Sequence, residues 1–438
     1  MFNQVRFRKA IEWLLYLFIF LLPWQTRWIY REANLGDGLL RGVWEYGRQS
    51  LYGLEVIWAA AVVLGIIYAV GSRQYAVGSW RKIFRRENLL PGVMFLLFVW
   101  SLITIIWSAD KNLAWYHSTI FLEGVVLFFL ITSFAKQEKA AVVLVMSAAI
   151  QSLLGCYQFM TQYIWGSKWL GMATQTASDL GVSVVEVGDQ RWLRAYGSLP
   201  HPNMLAAFLV VALILILYLS LGVKNKGQRN FVLLGLLLVI PGLIFTFSRS
   251  AWLVGGVAII YYLIISFFDK KRRAETQLTR QLLVIGFIWT VIISLMVYPL
   301  IWGRLTNSSR LDQLSSQSRM ALYGQSVDLI KSHWSSGVGM GNYTLAVYQQ
   351  VDNSFGAWLY QPVHNVYVLV LAELGVVGLL LCLFVICYLV FGRKGNWLVK
   401  LPFLALLFLA FFDHSFWSLY FGVTLWWVAA GWGLASSE

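Results

Sequence analysis

Charge is scarce in this 438-residue chain. Asp, Glu, Lys and Arg together make up 12% of it, about half the share usual in a soluble domain. With 59% hydrophobic residues, this excludes an ordinary water-soluble globule and points to a polytopic membrane protein. Cysteine is nearly absent. Cys156, Cys382 and Cys387 all fall inside apolar runs, where they are expected to be small buried side chains, and neither a disulfide framework nor a zinc-ligand spacing is present. Internal repeats and low-complexity linkers are also missing, so residues 1–438 are read as one transmembrane domain. The run at about 10–23 follows Arg6, Arg8 and Lys9 as a signal peptide would. The bulky stretch "LLPWQTRWIY" offers no small-residue cleavage site, so the run is expected to stay as the first helix.

What the chain does have is apolar runs of about twenty residues, each long enough to cross a bilayer as a helix. They are continuous rather than alternating. Helices are therefore expected instead of a closed barrel, since lipid offers backbone groups no other partners. The runs predict an all-α fold with about twelve spans: 10–23, 51–71, 89–107, 117–135, 140–163, 203–221, 230–247, 250–268, 282–302, 363–391, 401–412 and 416–434. With both termini in the cytoplasm, the inner loops collect most of the 34 lysines and arginines, including Arg73 to Arg86, Lys270 to Arg273, and Arg393 and Lys394. Two outer segments are long, 164–201 and 303–362, the second between spans nine and ten.

The outer basic residues are mostly arginines, whose planar fork suits bidentate phosphate recognition. Arg27, Arg31, Arg41 and Arg48 are expected to serve solubility and interfacial anchoring. Arg191, Arg194, Arg249 and Arg319 stand beside other unusual features. In "QRWLRAYGSLPHPNMLA", 190–206, Arg191 and Arg194 precede a helix start at Pro202 that His201 or Asn203 could cap. In "FTFSRSAWLVGG", 245–256, Arg249 has almost no loop to sit in, and so lies at a helix N-terminus, where free N–H groups favour an anion; a snorkelling arginine is the alternative. In "SSQSRMALYGQSVDLIKSHWSSGVGMGNY", 315–343, a surface helix carries Arg319, with Met320, Tyr323, Val327 and Ile330 on one stripe. The following "GVGMGN" lacks the strand and Lys-Ser/Thr of a P-loop and reads as a tight turn back to the membrane. In "QPVHNVYVLVLAELGVVG", 361–378, His364 and Asn365 open the tenth span. His364 is a cap, an interfacial ring or a base. Helical phase points Glu373 to the other side, so Glu373 is expected to pack against another helix.

If spans six, eight and ten pack together, their positive ends form a cationic outer pocket roofed by the two long segments. An amphiphilic anion fits: a polyprenyl pyrophosphate sugar, its tail in lipid and its pyrophosphate on arginines. A neutral histidine could take a proton from an attacking hydroxyl. The outer loops carry no Asp-x-Asp, and the outer acids Asp179, Glu186, Asp312, Asp328 and Asp352 are scattered. No metal site and no cofactor are therefore expected.

These stretches, "RAYGSLPHPNMLA", "SRSAWL", "SRMALYGQSVDLIKSHWSSGVGMGNY" and "HNVYVLVLAELGVVG", in that order, resemble the O-antigen ligase and O-antigen polymerase superfamily, which includes bacterial protein O-oligosaccharyltransferases. The resemblance covers roughly 190–390. It implies a GT-C-like helical fold and a metal-independent inverting transfer of a glycan from undecaprenyl pyrophosphate, on the periplasmic or extracellular face of the bacterial cytoplasmic membrane. It carries the base role onto His364 and the pyrophosphate contacts onto Arg249, Arg319 and Arg194, with Asn203, Asn365, Arg191 and His201 in support. Lipid A–core is the expected acceptor, and a further lipid-linked repeat or a protein hydroxyl are the alternatives. Membrane lipids are expected partners and nucleic acid is not. Glu55 and Glu123, acids inside spans, keep a lipid-linked sugar transporter open as a reading from another class.

Overall fold

The computed structural model describes residues 2–36, 38–71, 89–268, 276–306, 309–392 and 397–435. A helix lies at each apolar run: α1 (Phe2–Leu21), α2 (Gly53–Gly71), α3 (Leu90–Thr104), α4 (Lys111–Phe134), α5 (Gln137–Thr161), α6 (Pro202–Ser220), α7 (Lys226–Phe245), α8 (Arg249–Phe268) and α9 (Thr276–Met296). Three helices follow in the long connecting segment, α10 (Tyr298–Thr306), α11 (Arg310–His333) and α12 (Tyr343–Gln350). Then come α13 (Val366–Phe391), α14 (Trp397–Leu409), α15 (Ser415–Ser418) and α16 (Tyr420–Trp432). Among the described residues seven helices are long and apolar enough to cross a membrane by length and composition. Leu90–Thr104, Arg249–Ile264 and Trp397–Leu409 are shorter apolar helices. This is an α-helical membrane protein. The basic runs at Arg73 to Arg86, Lys270 to Arg273, and Arg393 and Lys394 lie outside the described residues.

The apolar helices are apolar on all sides, so composition cannot say which are central. Packing decides it. The span of α6 is 83% buried within the protein, that of α2 only 11%. Helix α6 is the core of the bundle and α2 is peripheral. Strands are confined to two-stranded antiparallel hairpins at the helix ends: β1 (Arg27–Arg31) with β4 (Gln49–Tyr52), β2 (Asn34–Leu35) with β3 (Gly42–Val43), β5 (Tyr163–Ile164) with β6 (Gln175–Thr176), and β7 (Val184–Val187) with β8 (Gln190–Leu193).

Several expectations are corrected. Of the stripe on the surface helix, Met320 (77% exposed), Val327 (51%) and Tyr323 face outward, while Ile330 packs against the core. The inward face of α11 is polar, with Asp312 and Ser326 buried beside Leu329, because α11 covers a polar chamber rather than a greasy floor. The last expected span is broken at Leu419, which is extended between α15 and α16. The run expected at 282–302 divides into α9 and α10. Cys156 and Cys382 are half-buried and Cys387 is exposed on α13, because these stretches of helix face out of the bundle; all three are free thiols.

Helix α13 is interrupted at Gly375, whose φ of 66° and ψ of −172° are not helical. A broken helix at membrane depth must have its freed backbone groups satisfied, and the glycine-rich turn after α11 does this. Val338 N donates to Ala372 O at 2.9 Å, Gly339 N to Glu373 O at 2.8 Å, and Val376 N to Trp334 O at 2.8 Å. The Trp100 indole donates to Leu374 O at 2.8 Å. "GVGMGN" is thus a backbone clamp on α13, more than a simple return turn. Glu373 is 3% exposed and accepts from the Trp417 indole at 2.8 Å, consistent with the expected helix-packing role. A Cβ on Gly375 would strike the Ser335 carbonyl, and one on Gly337 the Glu373 carbonyl, both at positive φ. Gly375→Ala should therefore destabilise the protein by about 1–3 kcal/mol or more. Thermal melting in detergent checks this; an unchanged midpoint would refute the clamp.

Candidate functional site

At one end of the bundle lies a cavity of about 910 Å³. Its walls come from the N-terminal β1–β4 segment, the β7–β8 hairpin, the start of α6, α10 and α11, the turn before α13, and the loop between α14 and α15.

Two of the arginines, Arg194 and Arg304, are held by a single turn. Between α7 and α8 three successive carbonyls point at the cavity wall. Ala195 N donates to Phe245 O at 2.8 Å, Arg194 Nε to Thr246 O at 2.6 Å, and Arg304 Nε to Phe247 O at 3.2 Å. Phe247 reaches this geometry at φ 48°, a sparsely populated region for a non-glycine residue, and is fully buried. Arg194 is 4% exposed and its Nη2 donates to Asn203 Oδ1 at 2.9 Å. Arg304 also pairs with Asp312 at the start of α11. Arg249 stands at the start of α8 and its Nη1 donates to Arg304 O at 3.3 Å; it is behind the wall rather than on it. Arg319 lines the cavity and makes no hydrogen bond or ion pair among the described residues. Burial presses the guanidinium of Arg194 down to about 10, with the charges of Arg319 and Arg249 adding to it. Burial, then Arg194, Arg249 and Arg319, press that of Arg304 down to about 9. Arginine holds its proton even so. Buried guanidinium groups crowded by like charges favour a bound anion.

The imidazoles sit beside that wall. His201 caps α6: its Nδ1 accepts from Asn203 N at 3.1 Å and its Nε2 meets Ser183 Oγ at 2.9 Å. Both nitrogens are engaged, which makes it a structural ring. His364 lies at the turn before α13, and its buried Nδ1 has no hydrogen-bond partner. Asn365 caps α13, its Oδ1 accepting from Tyr367 N at 2.9 Å and Val368 N at 3.2 Å, so it sets the helix start and does not line the cavity. Arg191 reaches the cavity rim from β8 and donates to Ser178 O at 3.3 Å.

Asp413 and His414, in the loop after α14, were missed by sequence reasoning. Val366 N donates to Ala410 O at 2.8 Å and Tyr367 OH to Leu407 O at 2.8 Å, tying this loop to the start of α13. The His414 ring then meets the His364 ring edge-on, with centroids 5.1 Å apart. His414 Nδ1 meets Ser418 Oγ at 2.6 Å and its Nε2 meets Tyr46 OH at 3.3 Å. The signal was present: "FFDHSFW" places two polar residues between apolar runs, on the same predicted side as His364. Asp413 is the carboxylate felt by all three imidazoles and by Arg319. Burial favours its protonation, but His414, His201, His364 and Ser415 N outweigh that and hold it below the usual carboxylate range. Burial, then His414, Arg319 and His201, push His364 below the ordinary histidine range, with Asp413 opposing. His364 is therefore neutral at pH 7 and able to accept a proton. Among the described residues no group of three or more His, Cys, Asp or Glu is arranged to hold a metal ion.

Residues 233–383 match the family model described as O-antigen ligase. Over this third of the chain the sequence is similar to the O-antigen ligase family. The matched segment contains Arg249, Arg304, Arg319 and His364, and stops short of Arg194 on one side and Asp413 on the other. The curated proteins and the solved structures give no match. The match supports a glycan ligase or polymerase type of activity in general, with a lipid-linked glycan and an acceptor as kinds of partner.

The wall makes a direct prediction. Inorganic pyrophosphate should bind the detergent-solubilised protein, and Arg319→Ala should weaken it about tenfold to a hundredfold, the worth of a hydrogen bond to a charged group. Calorimetry reads both. Equal affinity in the variant would remove Arg319 from the anion site.

Proposed function

We propose that this chain transfers a glycan from undecaprenyl pyrophosphate to an acceptor hydroxyl on the outer face of the bacterial cytoplasmic membrane, with lipid A–core as the acceptor: the O-antigen ligase reaction. The observation that carries it is the position of His364, a neutral and half-buried ring with Arg319, Asp413 and His414 among its neighbours. The lipid-linked pyrophosphate lies along Arg319 and Arg194, with Arg249 and Arg304 adding charge from behind. The acceptor O–H gives its proton to His364 as its oxygen bonds the anomeric carbon. The bond from that carbon to the pyrophosphate oxygen breaks, and the electron pair leaves with the pyrophosphate, whose developing charge the arginines stabilise. The configuration inverts. The positive charge that a divalent cation would supply is carried by guanidinium groups, so the reaction needs no metal. Asp413, ionised beside the rings, stabilises the imidazolium that forms on His364.

His364→Ala should lower transfer about 10²- to 10⁴-fold, the usual worth of a general base, while pyrophosphate binding persists. Normal turnover in that variant would sink the base assignment. The pH profile follows from the direction of the shift. A lowered pKa keeps His364 unprotonated as pH falls, so the acid limb of kcat should lie below the histidine value of about 6.5. Asp413→Asn removes the influence that raises this pKa, so the limb should move further down while kcat drops; a limb that stays in place would separate Asp413 from His364. Mass spectrometry of surface lipids, glycans and proteins with and without the gene identifies the acceptor. Loss confined to chain length, or to glycoprotein, would replace lipid A–core with a lipid-linked repeat or a protein hydroxyl.

A further inference from the structure

The cavity has a second wall whose chemistry is unlike the first. Arg27 reaches it from β1, but its charge is matched: Nη2 lies 2.6 Å from Glu45 Oε1, and Tyr52 is its other close partner. None of the clustered arginines figures in its surroundings. Tyr52 stacks on Tyr420 at the start of α16, centroids 4.3 Å apart and planes 7° from parallel. Both rings line the cavity. Tyr420 is 2% exposed, and its hydroxyl lies beside the Glu123 carboxyl without a well-formed hydrogen bond. The acids behind it are Glu55 and Glu123. A buried hydroxyl and carboxyl that pair only loosely with each other keep hydrogen-bonding capacity for an occupant.

This wall lacks the unmatched positive charge that a phosphate needs. Stacked rings with a polar edge, backed by carboxylates, suit a ligand with apolar C–H faces and many hydroxyl groups: a pyranose sugar. The wall is also joined to the proton acceptor. Tyr46 follows Glu45 in the chain, its hydroxyl meets His414 Nε2 at 3.3 Å, and the His414 ring abuts His364. His364 thus stands between the arginine wall and the tyrosine wall.

We infer that the Tyr52–Tyr420 wall is the subsite for the sugar that supplies the attacking hydroxyl. The inference rests on the transfer reading above. In an inverting displacement the nucleophile and the leaving group occupy opposite faces of the anomeric carbon. With the pyrophosphate at the arginines, the acceptor enters from the tyrosine side and meets His364 there. Its occupant is the acceptor glycan rather than the donor's own sugars.

The test uses full-length protein in detergent, an undecaprenyl-pyrophosphate glycan donor and a lipid A–core acceptor. Acceptor KM, donor KM and donor hydrolysis without acceptor are measured for the natural chain, Tyr52→Ala and Tyr420→Phe. Tyr52→Ala removes the stacking face; Tyr420→Phe removes only the hydroxyl and keeps the packing. Each variant should raise acceptor KM by about fivefold to tenfold, as loss of one hydrogen bond or stacking contact would, with donor KM and donor hydrolysis unchanged. Unchanged acceptor KM in Tyr420→Phe and Tyr52→Ala, with donor hydrolysis intact, overturns the subsite. A rise in donor KM alone overturns it too, by assigning the wall to the donor's sugar. If the natural chain neither transfers nor hydrolyses the donor, the transfer reading itself has failed.

Discussion

Three consecutive carbonyls in the turn between α7 and α8 govern this site. Phe245 O, Thr246 O and Phe247 O hold Ala195, Arg194 and Arg304. Buried guanidinium groups need partners, and here much of that need is met by neutral dipoles. A carbonyl orients an arginine without cancelling its charge. The contrast lies in the same chain. Arg31 is matched by Asp110 with two hydrogen bonds, Arg48 by Glu32 and Glu45, and Arg27 by Glu45. Those arginines fasten the N-terminal hairpin. Arg194 and Arg319 stay electrically open toward the cavity, which suits a mobile anion better than a permanent ion pair would.

The positive φ at Phe247 belongs to the same constraint, because the turn must aim all three carbonyls one way within a few residues. Backbone held in a sparse region tends to persist where the surroundings over-determine it, and the full burial of Phe247 supplies those surroundings.

A second backbone device sets the other half of the site. The break at Gly375 lets the glycine-rich turn dock on α13, fixing the helix that His364 and Asn365 open. The bond from Val366 N to Ala410 O then brings the next loop alongside, and with it Asp413 and His414. Burial keeps the three imidazoles neutral, and the ionised Asp413 among them opposes that effect and leaves them able to accept a proton. Burial alone would have left His364 a weaker base.

The helical membrane architecture was legible because lipid leaves a chain few options: long apolar runs with sparse charge must form helices. Arg194, Arg319, Asn203, His201 and His364 were singled out from motifs, and the structure gathers them around one cavity. Arg249 and Asn365, singled out on the same grounds, stand behind it. Linear spacing told nothing of the partners that decide their electrostatics, because those partners arrive from distant parts of the chain. Asp413 lies 49 residues after His364, a separation read directly from the numbering, and Tyr46 lies far before it. Met320 and Val327 on α11 face outward while Ile330 of the same stripe packs inward, since helical periodicity shows which residues share a face but not what that face meets. The sequence by itself determined the solvent this protein lives in and the residue types at its helix mouths. Only tertiary structure decided which arginines are matched by carboxylates, as Arg27 and Arg304 are, and which, like Arg194 and Arg319, are not, and that distinction, set by long-range packing, is what makes one wall cationic and the other neutral.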